Sequence, residues 1–175
     1  THRNLGSNAL ALHRVWGFRP GDVLLHALPI YHTHGLFVAT NCVLLNGSKM
    51  LFLPRFDAAE VIGLLPRATV MMGVPTFYTR LLAHPGFTGA ACQSVRLFIS
   101  GSAPLLEETF HEFERRTGLR ILERYGMTET GMNTSNPLDG ERRAGTVGLP
   151  LPGVEVRIAD DTGSVLPVGE GGVLE

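Results

Sequence analysis

Three short stretches of this sequence carry side chains able to act on a polar ligand. Tyr125-Gly126-Met127-Thr128-Glu129-Thr130 offers an aromatic face, a glycine, a hydroxyl that can meet a phosphate and a carboxylate that can hold Mg2+. Leu28-Pro29-Ile30-Tyr31-His32-Thr33-His34-Gly35 sets two histidines and a tyrosine in one loop. Histidines two apart invite a metal, but no Asp, Glu or Cys lies near them in sequence, and backbone groups can satisfy both imidazoles equally well. Gly101-Ser102-Ala103-Pro104 is a turn in which backbone can approach a flat ligand closely, although many plain connections look the same. Taken singly, each stretch is compatible with an ordinary loop.

The surrounding pattern says what must hold these loops. Leu5, Ala9, Leu12 and Trp16 recur at helical spacing, and Pro20-Gly21 then breaks the run ahead of an apolar strand at 23–27. A helix is predicted over 35–45, a strand over 49–53 after the Asn46-Gly47 turn, and a helix over 58–65 introduced by Asp57 and Glu60 as a capping box. A strand at 68–72 and a helix from Pro75 to His84 follow. The clearest unit is a strand at 95–100, the Gly101–Pro104 turn and a helix over 105–117. In that helix Leu106, Phe110 and Phe113 share a face, Glu107 and Glu108 open the first turn, and Arg115 and Arg116 close the last before Gly118. A strand at 121–125 completes the alternation. The expected fold is therefore α/β, a largely parallel sheet with flanking helices over residues 1–142, its chemistry carried by loops at strand C-termini. From residue 143 the sequence turns to Gly, Pro and β-branched residues, and 143–175 reads as the start of a small β subdomain.

Composition narrows the function classes. In 175 residues, 15 basic side chains face 16 acidic ones for a formal charge of -1, which leaves no basic footprint for nucleic acid. No apolar run approaches the roughly 20 residues of a membrane span. Cys42 and Cys92 lack metal-ligand spacing and read as buried thiols, which places the expected protein in a reducing cytoplasm. Small molecules are the expected partners. The chain opens at Thr1 and stops on Val173-Leu174-Glu175 like a strand just beginning, so it is expected to be an excerpt of a longer parent.

In sequence order, these stretches resemble the adenylate-forming superfamily of acyl-CoA synthetases, luciferases and peptide-synthetase adenylation domains. Tyr125-Gly126-Met127-Thr128-Glu129 matches its YGxTE motif; Pro29-x-x-His32-x-x-Gly35, Gly101-Ser102-Ala103-Pro104 and Val147-Gly148-x-Pro150-x-Pro152-Gly153 match three further segments at similar spacing. The resemblance implies the large N-terminal domain of that superfamily, with ATP, Mg2+ and coenzyme A taking part. It implies a nucleotide segment formed by Gly101, Ser102, Ala103 and Pro104 with Glu123, Arg124, Tyr125, Gly126, Met127 and Thr128. Tyr125 would stack on adenine, Thr128 would contact the α-phosphate and Glu129 would bind Mg2+. His32 would stand at the acyl pocket as a catalytic residue with Thr128 and Glu129.

Within the superfamily, the stretches from Met72 to Leu81 and from Glu123 to Pro137 look like malonyl-CoA synthetases. A second carboxylate on the acid must be paired to be buried, and Arg80 is the expected partner, since a guanidinium can grip a carboxylate with two hydrogen bonds. His32, His34, Ser102 and Met127 would complete the acid pocket. The choice between malonate and methylmalonate stays open. The superfamily's phosphate loop with its lysine, its ribose-binding aspartate, its hinge and its C-terminal domain have no counterpart here, the only lysine being Lys49. Catalysis by these residues alone is therefore not expected. Two other readings stay open: an adenylating enzyme for another short, aromatic or amino acid, and a non-catalytic nucleotide-binding or interaction module.

Overall fold

A computed structural model describes residues 1–175. Helix α1 (His2–Val15) starts at Thr1, whose hydroxyl accepts from the Asn4 amide, and buries Ala9 and Leu12. Strand β1 (Val23–His26) is followed by the His32 loop, a π-helical turn (His34–Ala39) and α2 (Thr40–Asn46). The predicted single helix at 35–45 is thus two pieces. The Gly35 carbonyl accepts from the Thr40 amide, the Thr40 hydroxyl (2.9 Å) and His26 Nε2 (3.0 Å), a demand that the wider turn meets.

Strands β2 (Lys49–Phe52), β3 (Val70–Gly73), β4 (Leu97–Ser100) and β5 (Leu122–Met127) alternate with α3 (Ala58–Leu64), α4 (Pro75–Ala83) and α5 (Glu107–Thr117). Asp57 caps α3 through Glu60 N, as its spacing predicts. In α5 Phe110 and Phe113 are buried, but Leu106 is the residue before the helix and is exposed, because the chain is still extended there. Two short antiparallel strands extend the sheet, β6 (Gly131–Ser135) and β7 (Leu149–Pro150), in the order β2-β1-β3-β4-β5-β6-β7. β6 was not expected: Thr, Asn and Ser dilute its apolar pattern. β7 and the buried Leu151 carry the main sheet past residue 143, and a separate two-stranded sheet forms from β8 (Ile158–Ala159) and β9 (Val173–Leu174).

Period-2 alternation splits the strand side chains between two cores. Leu25, Met71 and Phe98 pack with Val61, Tyr78, Leu81, Phe110 and Phe113 of α3–α5. Leu24, Val70, Met72, Leu97 and Ile99 pack on the other face with Leu12, Trp16, Cys42 and Val43 from α1, its end and α2. At the N-terminal edge of the sheet the buried Asp22 carboxylate joins three strands. It accepts from Arg96 Nε (3.0 Å) and Nη2 (2.5 Å) and from the Thr69 hydroxyl (2.8 Å), while Arg96 also reaches the Gly17 carbonyl. Burial pushes this carboxyl up, yet those bonds and the Arg19 amide together hold it below its ordinary value. The opposite edge, where β1, β3, β4 and β5 all end, is left free for loops. No helix is long and apolar enough to cross a membrane.

Candidate active site

Three loops meet at that edge. The His32 loop after β1, the Ser102 turn after β4 and the β5–β6 hairpin tip enclose a polar cleft of about 240 Å³ lined by His32, His34, Ser102, Arg124, Met127, Thr128 and Glu129. Gly35 lets the first loop close, for a Cβ there would sit 2.3 Å from the Pro29 carbonyl. His32 is exposed, and its Nδ1 accepts from the His34 amide (3.1 Å), which in the neutral ring leaves the proton on Nε2. His34 is 2% exposed and lies 3.2 Å from the Ser102 hydroxyl through Nδ1; its Nε2 has no partner. Desolvation first, then the charge of Arg124, holds His34 well below the ordinary imidazole range, so it is neutral at pH 7. Ser102 adopts a left-handed backbone (φ 70), the single non-glycine residue to do so, which presents its side chain to the cleft.

Arg124 is the unusual member. It is 2% exposed, no hydrogen bond or ion pair engages its guanidinium, and its buried Nε and Nη2 are unpartnered. Desolvation pushes it down from 12.5 to about 10. Gly101 makes room for it: a Cβ at Gly101 would lie 2.5 Å from Arg124 Cζ. Gly101 itself is buried beneath the guanidinium, while Ser102, Ala103 and Pro104 line a second cavity of about 380 Å³ with Glu123, Arg124, Tyr125, Gly126 and Val147. Glu123 Oε1 accepts from the Leu105 amide (2.9 Å), and its buried Oε2 is unpartnered. Burial raises this carboxyl above its ordinary value. The two cavities share Ser102, Arg124 and Gly126, so a ligand in one abuts a ligand in the other.

Arg80 is not brought to the cleft. It sits exposed on the last turn of α4 with its guanidinium 4.8 Å above the Phe56 ring. The cation that faces the cleft is Arg124, a residue of the segment that the resemblance gives to the nucleotide. Its signal was an arginine inside a strand that otherwise reads as buried. Thr128 and Glu129 stand at the hairpin tip, and Glu129 forms no hydrogen bond or ion pair. No three ligating side chains gather anywhere in the chain. One free carboxylate beside a hydroxyl suits Mg2+, which keeps waters and takes most of its ligands from substrate phosphates.

The family profile for AMP-binding enzymes matches residues 1–174. The chain belongs to the AMP-binding enzyme family. The mitochondrial malonate–CoA ligase ACSF3 of Mus musculus is 41% identical over 92% of this chain, which covers 30% of that relative. ATP-bound MatB from Rhodopseudomonas palustris superposes with a TM-score of 0.99 at 58% identity over 100% of this chain and 35% of its own. A malonyl-CoA ligase ternary product complex with methylmalonyl-CoA and AMP gives 0.84 at 42% identity, covering 90% of this chain and 35% of that one. The chain thus spans about a third of the length of the relatives it matches. As a member of this family it has the expected α/β fold, with a mostly parallel sheet and flanking helices.

Proposed function

We propose that the full-length protein is an ATP-dependent acid–thiol ligase that adenylates malonate, or methylmalonate, and passes the acyl group to coenzyme A. The observation that carries the acid assignment is the buried, unpartnered Arg124 guanidinium at the cleft. An isolated buried cation is unfavourable, and an incoming carboxylate supplies the missing counter-charge. A neutral acyl chain does not. In this reading Arg124 takes the role expected of Arg80, with the Ser102 hydroxyl and His32 completing the acid pocket and Met127 bounding it. Neutral His34 orients Ser102.

The second cavity takes adenine between Tyr125 and the Ser102–Pro104 turn, and the free Glu123 Oε2 can accept from an exocyclic amine. Thr128 faces the α-phosphate and Glu129 holds Mg2+, which when bound neutralises phosphate charge. The second carboxylate of the acid, opposite the one held by Arg124, attacks α-phosphorus; pyrophosphate leaves, and the thiol of coenzyme A then displaces AMP. The chain contributes positioning and charge, which carry most of such a transfer. The α/β body would take in residues 1–142 together with β7 and Leu151, and the rest of 143–175 would lead into the β subdomain. The free, buried Cys42 and Cys92 fit a reducing compartment, for which we propose the cytoplasm.

Acid-dependent ATP–pyrophosphate exchange by the full-length protein tests this, with malonate, methylmalonate, acetate and benzoate offered separately. Exchange driven by the two dicarboxylates is expected. Preference for acetate or benzoate would refute the acid assignment and leave the ligase class standing.

A further inference from the structure

We propose that Asn8 is a positioning residue that holds the Thr128–Glu129 hairpin tip from helix α1; this deepens, and rests on, the reading given above. The outer side of β6 is covered by β7 at Thr134 and Ser135 only. At Met132 the Asn8 side chain stands where a strand would: Nδ2 donates to the Met132 carbonyl (2.8 Å), and Oδ1 accepts from the Met132 amide (3.0 Å). One contact needs a donor and the other an acceptor, so the amide has one orientation and only Asn or Gln could make both.

Both ends of this clamp are rigid. Asn8 precedes the buried Ala9 on α1, and Met132 is 3% exposed in the same core as Leu12 and Trp16. The tip itself is held weakly. Between Met127 and Gly131, the Thr130 hydroxyl accepts from Asn133 Nδ2 (3.0 Å), but Thr128 has a single long side-chain contact, with the Thr33 hydroxyl (3.4 Å), and the Glu129 side chain has none. The carboxylate and hydroxyl that would meet metal and phosphate are therefore placed by the base of the hairpin, three and four residues from the clamp at Met132. Asn8 does not line the cleft of His32, Ser102 and Arg124, and in this proposal it acts through the hairpin. It fixes how far the tip stands from the cleft, and a shift there would be felt in phosphate chemistry before it was felt in stability.

The test uses Asn8→Ala and Asn8→Asp in the full-length protein. Asp keeps the bond from the Met132 amide but sets an oxygen against the Met132 carbonyl. Losing these bonds is expected to lower acid-dependent ATP–pyrophosphate exchange roughly tenfold and raise the Mg2+ concentration needed for half-maximal rate. The second half-reaction, from supplied acyl-AMP and coenzyme A, keeps the α-phosphate that Thr128 faces but has no pyrophosphate to release, and it should fall clearly less than the first. Hydrogen exchange should quicken at residues 127–132 and nowhere else. Parallel loss of both half-reactions would make Asn8 a fold staple and overturn the proposal, as would unchanged exchange activity with a deprotected Met132 amide. Should the wild-type protein show no acid-dependent exchange, the functional reading fails, and local hydrogen exchange at 127–132 alone decides the clamp.

Discussion

Replacing Arg124 by Met removes the guanidinium and keeps most of its volume, and it should move stability and activity in opposite directions. Burial holds the folded guanidinium at about 10 against an ordinary 12.5. That displacement corresponds to about 3 kcal/mol, unfavourable to folding at pH 7 and relieved only as pH rises through about 10, because the unfolded chain then binds the extra proton. An apolar side chain has no such penalty, so the ligand-free protein should gain about 1–3 kcal/mol. If Arg124 holds the acid as proposed, the same change deprives it of its counter-charge. Truncating one partner of a buried charge pair costs about 2–5 kcal/mol, or roughly 30-fold to a few thousand-fold in kcat/KM for malonate. Isovalerate, which replaces one carboxylate by an isopropyl group, should lose nothing and can gain. Thermal unfolding without ligand and pyrophosphate exchange with both acids measure the three quantities. Equal losses on malonate and isovalerate, or a less stable ligand-free variant, would refute the reasoning, since both require that Arg124 lacks a partner inside the protein.

Gly101→Ala leaves every charge in place but drives a methyl into the Arg124 guanidinium; malonate turnover should fall with an unchanged KM for ATP, as steady-state kinetics would show. His34 and His26 are both held below the ordinary imidazole value of 6.5 chiefly by burial. The unfolded chain takes up their protons first, so stability should be intact above about pH 6.5 and fall below it, visible as a lower urea midpoint at pH 5.5 than at 7.5. Arg96→Ala strands the buried Asp22 carboxylate and should destabilise the protein by about 3 kcal/mol at pH 7. Chemical denaturation measures that loss, which should shrink in acid once Asp22 protonates.

Most of the parallel body was legible because β1, β3 and β4 are short, mainly apolar runs closed by turns, and α5 carries an apolar stripe through Phe110 and Phe113. The cleft's address was legible too, since His32, Ser102 and Thr128 all follow strand ends. What could not be read was side-chain direction within a strand. Glu123 and Arg124 are neighbours whose side chains leave on opposite faces, and nothing in the local sequence says that Arg124 takes the face roofed by His34 and Ser102. The resting place of Arg80 was illegible for a related reason: helical periodicity fixes its angle around α4, but only the position of Phe56, from a distant loop, fixes where its guanidinium rests. The clamp between Asn8 and Met132 spans 124 residues and leaves no local trace at all.

The π-helical turn at His34–Ala39 also bears on how this segment can change. A turn of this kind holds one residue more than an α-helix of the same length, as a single-residue insertion would produce. Deleting any residue between 35 and 39 would restore a regular ladder to α2 while rotating what precedes it by about 100°. His34 would then leave Ser102, and the Gly35 carbonyl would leave His26. Engineering for greater helix regularity in this segment therefore works against the cleft, and an alignment that closes a one-residue gap there would join residues that are not structural equivalents.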